Sequence, residues 1–298
     1  MLKESLPAPI VGALRLARQL AYVCLEPLDR LSRVINGKGD LPPLHLRRYV
    51  GPLRTFEMSG AEFMAYLRLL CALRPSERVL DVGCGCGLMA LHLRDYLSPE
   101  GSYTGVDIHR PSVNWCRRNL GGRHRNFNYE HIDVRSRAYN PGGRHAAEDY
   151  AFEFADGSFD LVLLKSVFTH MRPAEVENYV KEVSRLLSGG GRCLMTFFLL
   201  NERQAELAGA GLSRLDFRHG EGAWRYVYPN SPESAVAFSE EHVLDLLRSH
   251  GLELDEPILY GSWSGRDDGL SYQDILLARK QTGGRHHRRA EETLPGGL

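Results

Sequence analysis

Between residues 78 and 198 five short apolar runs, at 78–83, 102–107, 127–132, 159–165 and 192–198, alternate with helix-length stretches. Strands that alternate with helices at about 86–97, 111–119 and 173–187 imply βαβ units around a parallel sheet. The last helix is the best marked. Pro173 stands in its first turn, apolar residues fall at 176, 179, 180, 183, 186 and 187, and Gly189-Gly190-Gly191 ends it. A helix over 60–73 precedes the first strand. After the fifth strand the order changes. Residues 200–238 have no clear period but carry Trp224, Tyr226, Tyr228 and Phe238, which reads as an inserted cap. Ser239 then caps a helix that Gly251 closes. Two strands near 252–261 and 272–279, with no helix between them, are expected to pair antiparallel at the sheet edge.

The bulk numbers narrow the function classes. With 298 residues, 43% hydrophobic and 25% charged, the chain reads as one large soluble domain with an appendage. Lys+Arg and Asp+Glu balance at 37 each, so no global field draws it to nucleic acid. The longest apolar runs, such as "CLMTFFLL" at 193–200, are too short to span a bilayer, and Arg15 and Arg18 interrupt any secretory h-region. Six dispersed cysteines then suggest a reducing cytosol rather than a disulfide framework. Residues 1–50 differ, with eight Lys/Arg against four Asp/Glu and a helical apolar stripe through Ile10, Leu14, Ala17, Ala21, Leu25 and Leu28. This segment, bounded at about residue 59, is either a lid on the domain or a basic amphipathic helix on a membrane surface through residues 8–33, although Glu4, Glu26 and Asp29 dilute its charge. The tail 281–298, with His286 and His287, has no apolar period and is expected to be disordered.

The chemistry concentrates at "VLDVGCGCG", residues 79–87. Cys84 and Cys86 have no second cluster to complete a tetrahedral metal site, so no metal is expected there. The strand "RVLDV" instead runs into a glycine loop and a helix, where a backbone without Cβ atoms comes close to a ligand. Asp107 ends the second strand, 22 residues after Gly85, where its carboxylate can accept from both hydroxyls of a ribose. Asp133 ends the third strand, within reach of an adenine amino group. Asp81, two residues before the first glycine, would repel a pyrophosphate but suits an ammonium group. Together these favour an adenosine with an amino-acid tail over a dinucleotide.

These segments, with "YTGVDI" (103–108), "HIDV" (131–134), "FADGSFDLVLLKSVFTHM" (154–171) and "EVSRLLSGGGRCLMTFF" (182–198), resemble the class I S-adenosylmethionine-dependent methyltransferases, and in particular their type 11 or UbiE-like branch. The resemblance spans roughly 75–200 and extends to about 280. It implies an α/β, Rossmann-like fold over 60–280: a seven-stranded, mostly parallel sheet in order 3-2-1-4-5-7-6, strand 7 antiparallel, helices on both faces. It implies S-adenosyl-L-methionine as cofactor. Asp81 and the loop Gly83, Cys84, Gly85 and Gly87 would line the methionine moiety. Asp107 and Ile108 would take the ribose and adenine, Asp133 and Val134 the adenine edge, and Lys165 and Ser166 the place where cofactor and acceptor meet. Cys86 and Ser188 depart from the family's usual residues.

The sulfonium methyl is already activated, so in-line displacement needs alignment and exclusion of water, and a base only for a protonated acceptor. His170 is the candidate base, and Lys165 could orient an acidic acceptor. The acceptor is expected to be an organic small molecule, on the evidence of Trp224, Tyr226, Tyr228 and Trp263 and of the missing NPPY-type signature. Two other readings stand beside it: a membrane-associated lipid or quinone methyltransferase, and a non-catalytic partner protein that binds the cofactor.

Overall fold

The computed structural model describes residues 8–282 apart from 123; the side chains of 8–16, 18 and 19, and the tail with His286 and His287, lie outside the described residues. The main sheet is built from β1 (Arg78–Val82), β2 (Ser102–Asp107), β3 (Phe127–His131), β4 (Phe159–Leu164), β5 (Leu187–Phe197), β9 (Leu252–Leu259) and β10 (Asp274–Lys280). Its order is β3-β2-β1-β4-β5-β10-β9. The first five strands run parallel, and β10 is antiparallel to both β5 and β9. This is the expected seven-stranded topology, with β9 and β10 as its sixth and seventh strands.

Strand residues alternate between two cores. Leu80, Val82, Val162 and Leu164 face one side, where they meet Val176, Val180 and Val183 of α6 (Pro173–Leu186) and Val243 and Leu247 of α8 (Glu240–Ser249). Val79, Leu161 and Leu163 face the other, with Phe63 and Leu67 of α3 (Phe56–Leu69), Leu93 of α4 (Ala90–Leu93) and Val113 and Cys116 of α5 (Arg110–Cys116). A sheet covered on both faces needs apolar residues at nearly every position, which is why its strands read as continuous apolar runs. Each such buried side chain contributes about 1.5–3 kcal/mol.

Several boundaries differ from the sequence reading. The helix expected over 86–97 is regular only at Ala90–Leu93, although helical bonds continue on both sides, from Leu91 N–H to the Gly87 carbonyl and from Leu97 N–H to the Leu93 carbonyl. The strand expected from 192 begins at Leu187. Pairing slips from Phe159–Leu187 to Leu161–Arg192, and the three glycines occupy that irregular stretch rather than a plain helix stop. The cap is ordered: β6 (Leu199–Leu200), β7 (Trp224–Tyr226) and β8 (Val236–Ser239) form a small sheet in order β6-β8-β7, beside α7 (Glu202–Gly209). Ser239 Oγ accepts from His242 N–H and starts α8 as expected.

The N-terminal segment forms an arm of α1 (Ala8–Ile35) and α2 (Leu44–Val50). An ion network joins them. Arg33 holds Glu26 and Asp29, both at 2.7 Å, and donates to the Leu41 carbonyl at 2.6 Å. Arg47 pairs with the same Asp29, and Glu26 accepts from Leu44 N–H at 2.7 Å. Glu26 and Asp29, two of the acidic groups that dilute the charge of this segment in sequence, are therefore neutralised at the contact with α2. Leu20, Val23, Leu25, Leu28, Leu31, Val34 and Ile35 of α1 stay exposed.

Candidate cofactor and acceptor cavity

A cavity of about 430 Å³ opens at the C-terminal ends of β1, β2 and β4, within the range of about 300–1,000 Å³ usual for small-molecule sites. Its floor is the glycine loop. Gly83 has φ +78° and a Cβ there would stand 2.8 Å from Val167 Cγ2; Gly85 has φ +54° and its Cβ would stand 2.6 Å from Val50 Cγ2. Both positions therefore exclude a side chain on conformation and on space. Asp107 fastens the loop from β2: its carboxylate accepts from Gly85 N–H at 2.7 Å and from His109 N–H at 2.6 Å. Burial raises the pKa of Asp107, and these two N–H groups pull it back. The carboxylate borders the cavity with acceptor capacity left over.

Asp81 lies fully enclosed beneath the loop and accepts from the Tyr103 hydroxyl at 2.7 Å. Burial pushes its pKa to about 7, opposed by that hydrogen bond and by the charge of Lys165. Lys165, at the end of β4, lines the cavity with its ammonium 4.8 Å from the Phe63 ring centroid, and burial lowers its pKa. Ser166 follows in a left-handed conformation, φ +58°, unusual for serine. Thr196 Oγ1 accepts from its N–H at 2.8 Å, and its hydroxyl donates to Gln273 Oε1 at 2.9 Å. Cys84 and Cys86 are buried, and burial raises both thiols, so they are neutral. The thiol of Cys84 lies 3.7 Å from the Gly85 carbonyl, and that of Cys116 3.8 Å from the same oxygen.

Residues 80–195, which run from β1 into β5 and build this floor, match a family model described as a methyltransferase domain. Residues 80–195 thus carry a methyltransferase domain. The chain is 36% identical over 146 residues to phthiotriol/phenolphthiotriol dimycocerosates methyltransferase 1 of Mycobacterium ulcerans (strain Agy99), over 48% of this chain and 46% of that protein. It thus spans about half the length of that relative. It is 24% identical to the ubiquinone biosynthesis O-methyltransferase of Albidiferax ferrireducens (strain ATCC BAA-621 / DSM 15236 / T118), over 82% of this chain and 84% of that one. Among solved structures the PH0226 protein of Pyrococcus horikoshii OT3 shares the fold, with a TM-score of 0.51 and 18% identity over 76% of this chain and 91% of that one.

The methyltransferase domain brings Gly83, Cys84, Gly85, Asp107, Ile108, Val134, Lys165, Ser166 and His170 to the one cavity. Asp81, Gly87 and Asp133 do not line it. Asp133 turns to Arg144, whose Nε donates at 2.6 Å, and to Asn140 Nδ2 at 3.3 Å. His170 is placed by the cap: its Nδ1 lies 2.8 Å from the Glu233 carbonyl. A carbonyl only accepts, so Nδ1 carries the proton and Nε2 keeps its lone pair. Burial lowers the His170 pKa and holds the ring neutral.

The aromatics that suggested an acceptor pocket do not line the cavity. Trp263 is fully buried against Phe198 and Phe217 and donates its indole N–H to Asp274 at 2.8 Å. Tyr226 stacks on His219, and Trp224 packs on the core. Sequence reading missed Arg48, Tyr49 and Val50 of the arm, and Tyr139 and Glu233, all of which line the cavity. The composition of residues 1–50 marked the arm as distinct, but nothing in it singled out these side chains.

Proposed function

We propose that this chain transfers the methyl group of S-adenosylmethionine by in-line displacement to an organic small-molecule acceptor. The supporting observation is the glycine loop latched to Asp107 inside a cavity at the C-terminal strand ends. Gly83, Cys84 and Gly85, backed by Asp81 and Gly87 just behind the cavity wall, would hold the methionine end, Asp107 and Ile108 the ribose and adenine, and Val134 with the Asp133 corner the adenine edge. The cofactor supplies a sulfonium-activated methyl. His170 accepts at Nε2 the proton of a neutral hydroxyl or ammonium acceptor, which raises that group's nucleophilicity. Lys165 and Ser166 orient the acceptor beside the cofactor. Calorimetric titration with adenosylhomocysteine tests the reading: saturable binding is expected, and its complete absence would overturn it. In a screen for methyl transfer, His170→Ala should lower turnover by about 10²–10⁴-fold with cofactor affinity intact. Binding with no turnover on any acceptor would favour the non-catalytic partner reading.

A second reading places the enzyme at a membrane, where it methylates a lipid or quinone. The exposed apolar face of α1, with its acidic residues turned toward α2, favours it. Among the described residues no helix is long and apolar enough to cross a membrane, so the contact would be peripheral. Flotation of the full chain with vesicles containing phosphatidylglycerol is the test. Leu28→Glu with Leu31→Glu should abolish flotation without lowering the melting temperature, and equal flotation of both proteins would sink the idea.

A further inference from the structure

We infer that Arg48 is a carboxylate clamp for the methyl acceptor, so the acceptor is an organic acid; this rests on the methyltransferase reading above. The arm carries three arginines near its helix–helix contact, and two already have anions. Arg33 holds Glu26 and Asp29, and Arg47 holds Asp29. Arg48 has no carboxylate partner. Its guanidinium lies between two rings, 5.3 Å from the Tyr22 centroid and 5.0 Å from that of Tyr49, and it borders the cavity. Nη1 is shielded from water and has no hydrogen-bond partner. Leaving a buried donor unpaired is unfavourable, and more so when it is charged. The rings fix the direction of the fork and offset part of that cost. A planar fork with open donors matches a carboxylate.

The acids of the cavity do not supply that partner. Asp107 accepts from Gly85 and His109, Glu175 from Arg172 N–H at 2.6 Å, and Glu233 lies 3.6 Å from the Arg172 guanidinium. The anion must then arrive with a ligand. The cofactor's own carboxylate is the competing source, but the arm residue laid on Gly85 is Val50. Arg48 stands instead over Tyr49, whose ring lies 4.3 Å from that of His109 and 6.4 Å from that of Tyr139, and Tyr139 in turn lies 6.0 Å from the His170 ring. Lys165, the other inner cation, lies over Phe63 and feels the charges of Glu62 and Asp81.

The test titrates the adenosylhomocysteine-saturated full chain with 3,4-dihydroxybenzoate and octanoate, each against its amide, in wild type, Arg48→Gln and Arg48→Lys. At least one acid should bind on the order of tenfold to a hundredfold more tightly than its amide. Arg48→Gln should remove that preference and Arg48→Lys should keep part of it, with adenosylhomocysteine affinity and melting temperature unchanged in both. No preference in wild type for either pair, or a preference that survives in Arg48→Gln, overturns the inference. A tenfold or larger loss of adenosylhomocysteine affinity in Arg48→Gln assigns the clamp to the cofactor and also overturns it, while the methyltransferase reading stands. Failure of wild type to bind adenosylhomocysteine removes that reading itself.

Discussion

Asp107, at the end of β2, and Asp133, two residues past β3, stand at neighbouring corners of one sheet edge, yet only Asp107 borders the cavity. The environments differ in kind. Asp107 is buried and satisfied by backbone N–H groups of the loop it fastens. Asp133 is partly exposed and satisfied by the side chains of Arg144 and Asn140, which lower its pKa. Backbone donors leave lone pairs directed at a ligand, whereas a guanidinium of its own chain competes with one. The same residue type at the same strand end therefore does different work, and the surroundings decide which.

The largest expected effect follows from that contrast. Asp107→Ala removes the partner of two backbone donors and the carboxylate proposed to hold the ribose, and adenosylhomocysteine affinity should fall on the order of a hundredfold by calorimetry. Asp133→Ala should cost less than about tenfold, because that carboxylate is already engaged; equal losses at the two sites would break the comparison. Solvent screens its exposed pair with Arg144, so the melting temperature should hardly move.

Asp81 sharpens the comparison through pH. Its folded pKa, about 7, lies above the ordinary 3.8. Such a group favours the fold most when protonated, and this contribution is lost as pH rises from about 4 through 7. Asp81→Asn should thus raise the melting temperature of the ligand-free protein at pH 8 and change it little at pH 4. Cofactor binding carries the opposite sign, because an ammonium group needs the carboxylate. Wild-type affinity should weaken by up to about tenfold per unit below pH 7, and the Asn variant should be weak and flat. A wild-type profile with no pH dependence would remove Asp81 from the methionine end.

The smallest effect is reserved for the loop cysteines. Cys84→Ala with Cys86→Ala should leave adenosylhomocysteine affinity within about twofold, at a stability cost of roughly 1–2 kcal/mol per buried thiol. A large loss of affinity would return a direct role to the thiols.

Much of the fold was legible before the structure. Periodicity located all seven strands of the sheet, and the spacing of the glycine loop to Asp107 located the cavity floor, because both are set by local geometry. Tertiary context overrode the rest. Trp263 looked like a ligand-facing aromatic, but Asp274, 11 residues away in sequence, takes its N–H inside a core. The glycines at 189–191 looked like a helix stop, but pairing with β4 draws them into a strand.

The sequence by itself determined the sheet, the loop that excludes side chains, and Asp107 as its latch. These follow from φ restrictions and apolar period, which act between near neighbours. Only the tertiary structure decided that Asp133 turns to Arg144, that the Glu233 carbonyl fixes the His170 tautomer, and that Arg48 stands unpaired beside the cavity. Each of these depends on contacts between segments distant in sequence, or on which charged neighbour reaches a group first, and no local pattern encodes that outcome.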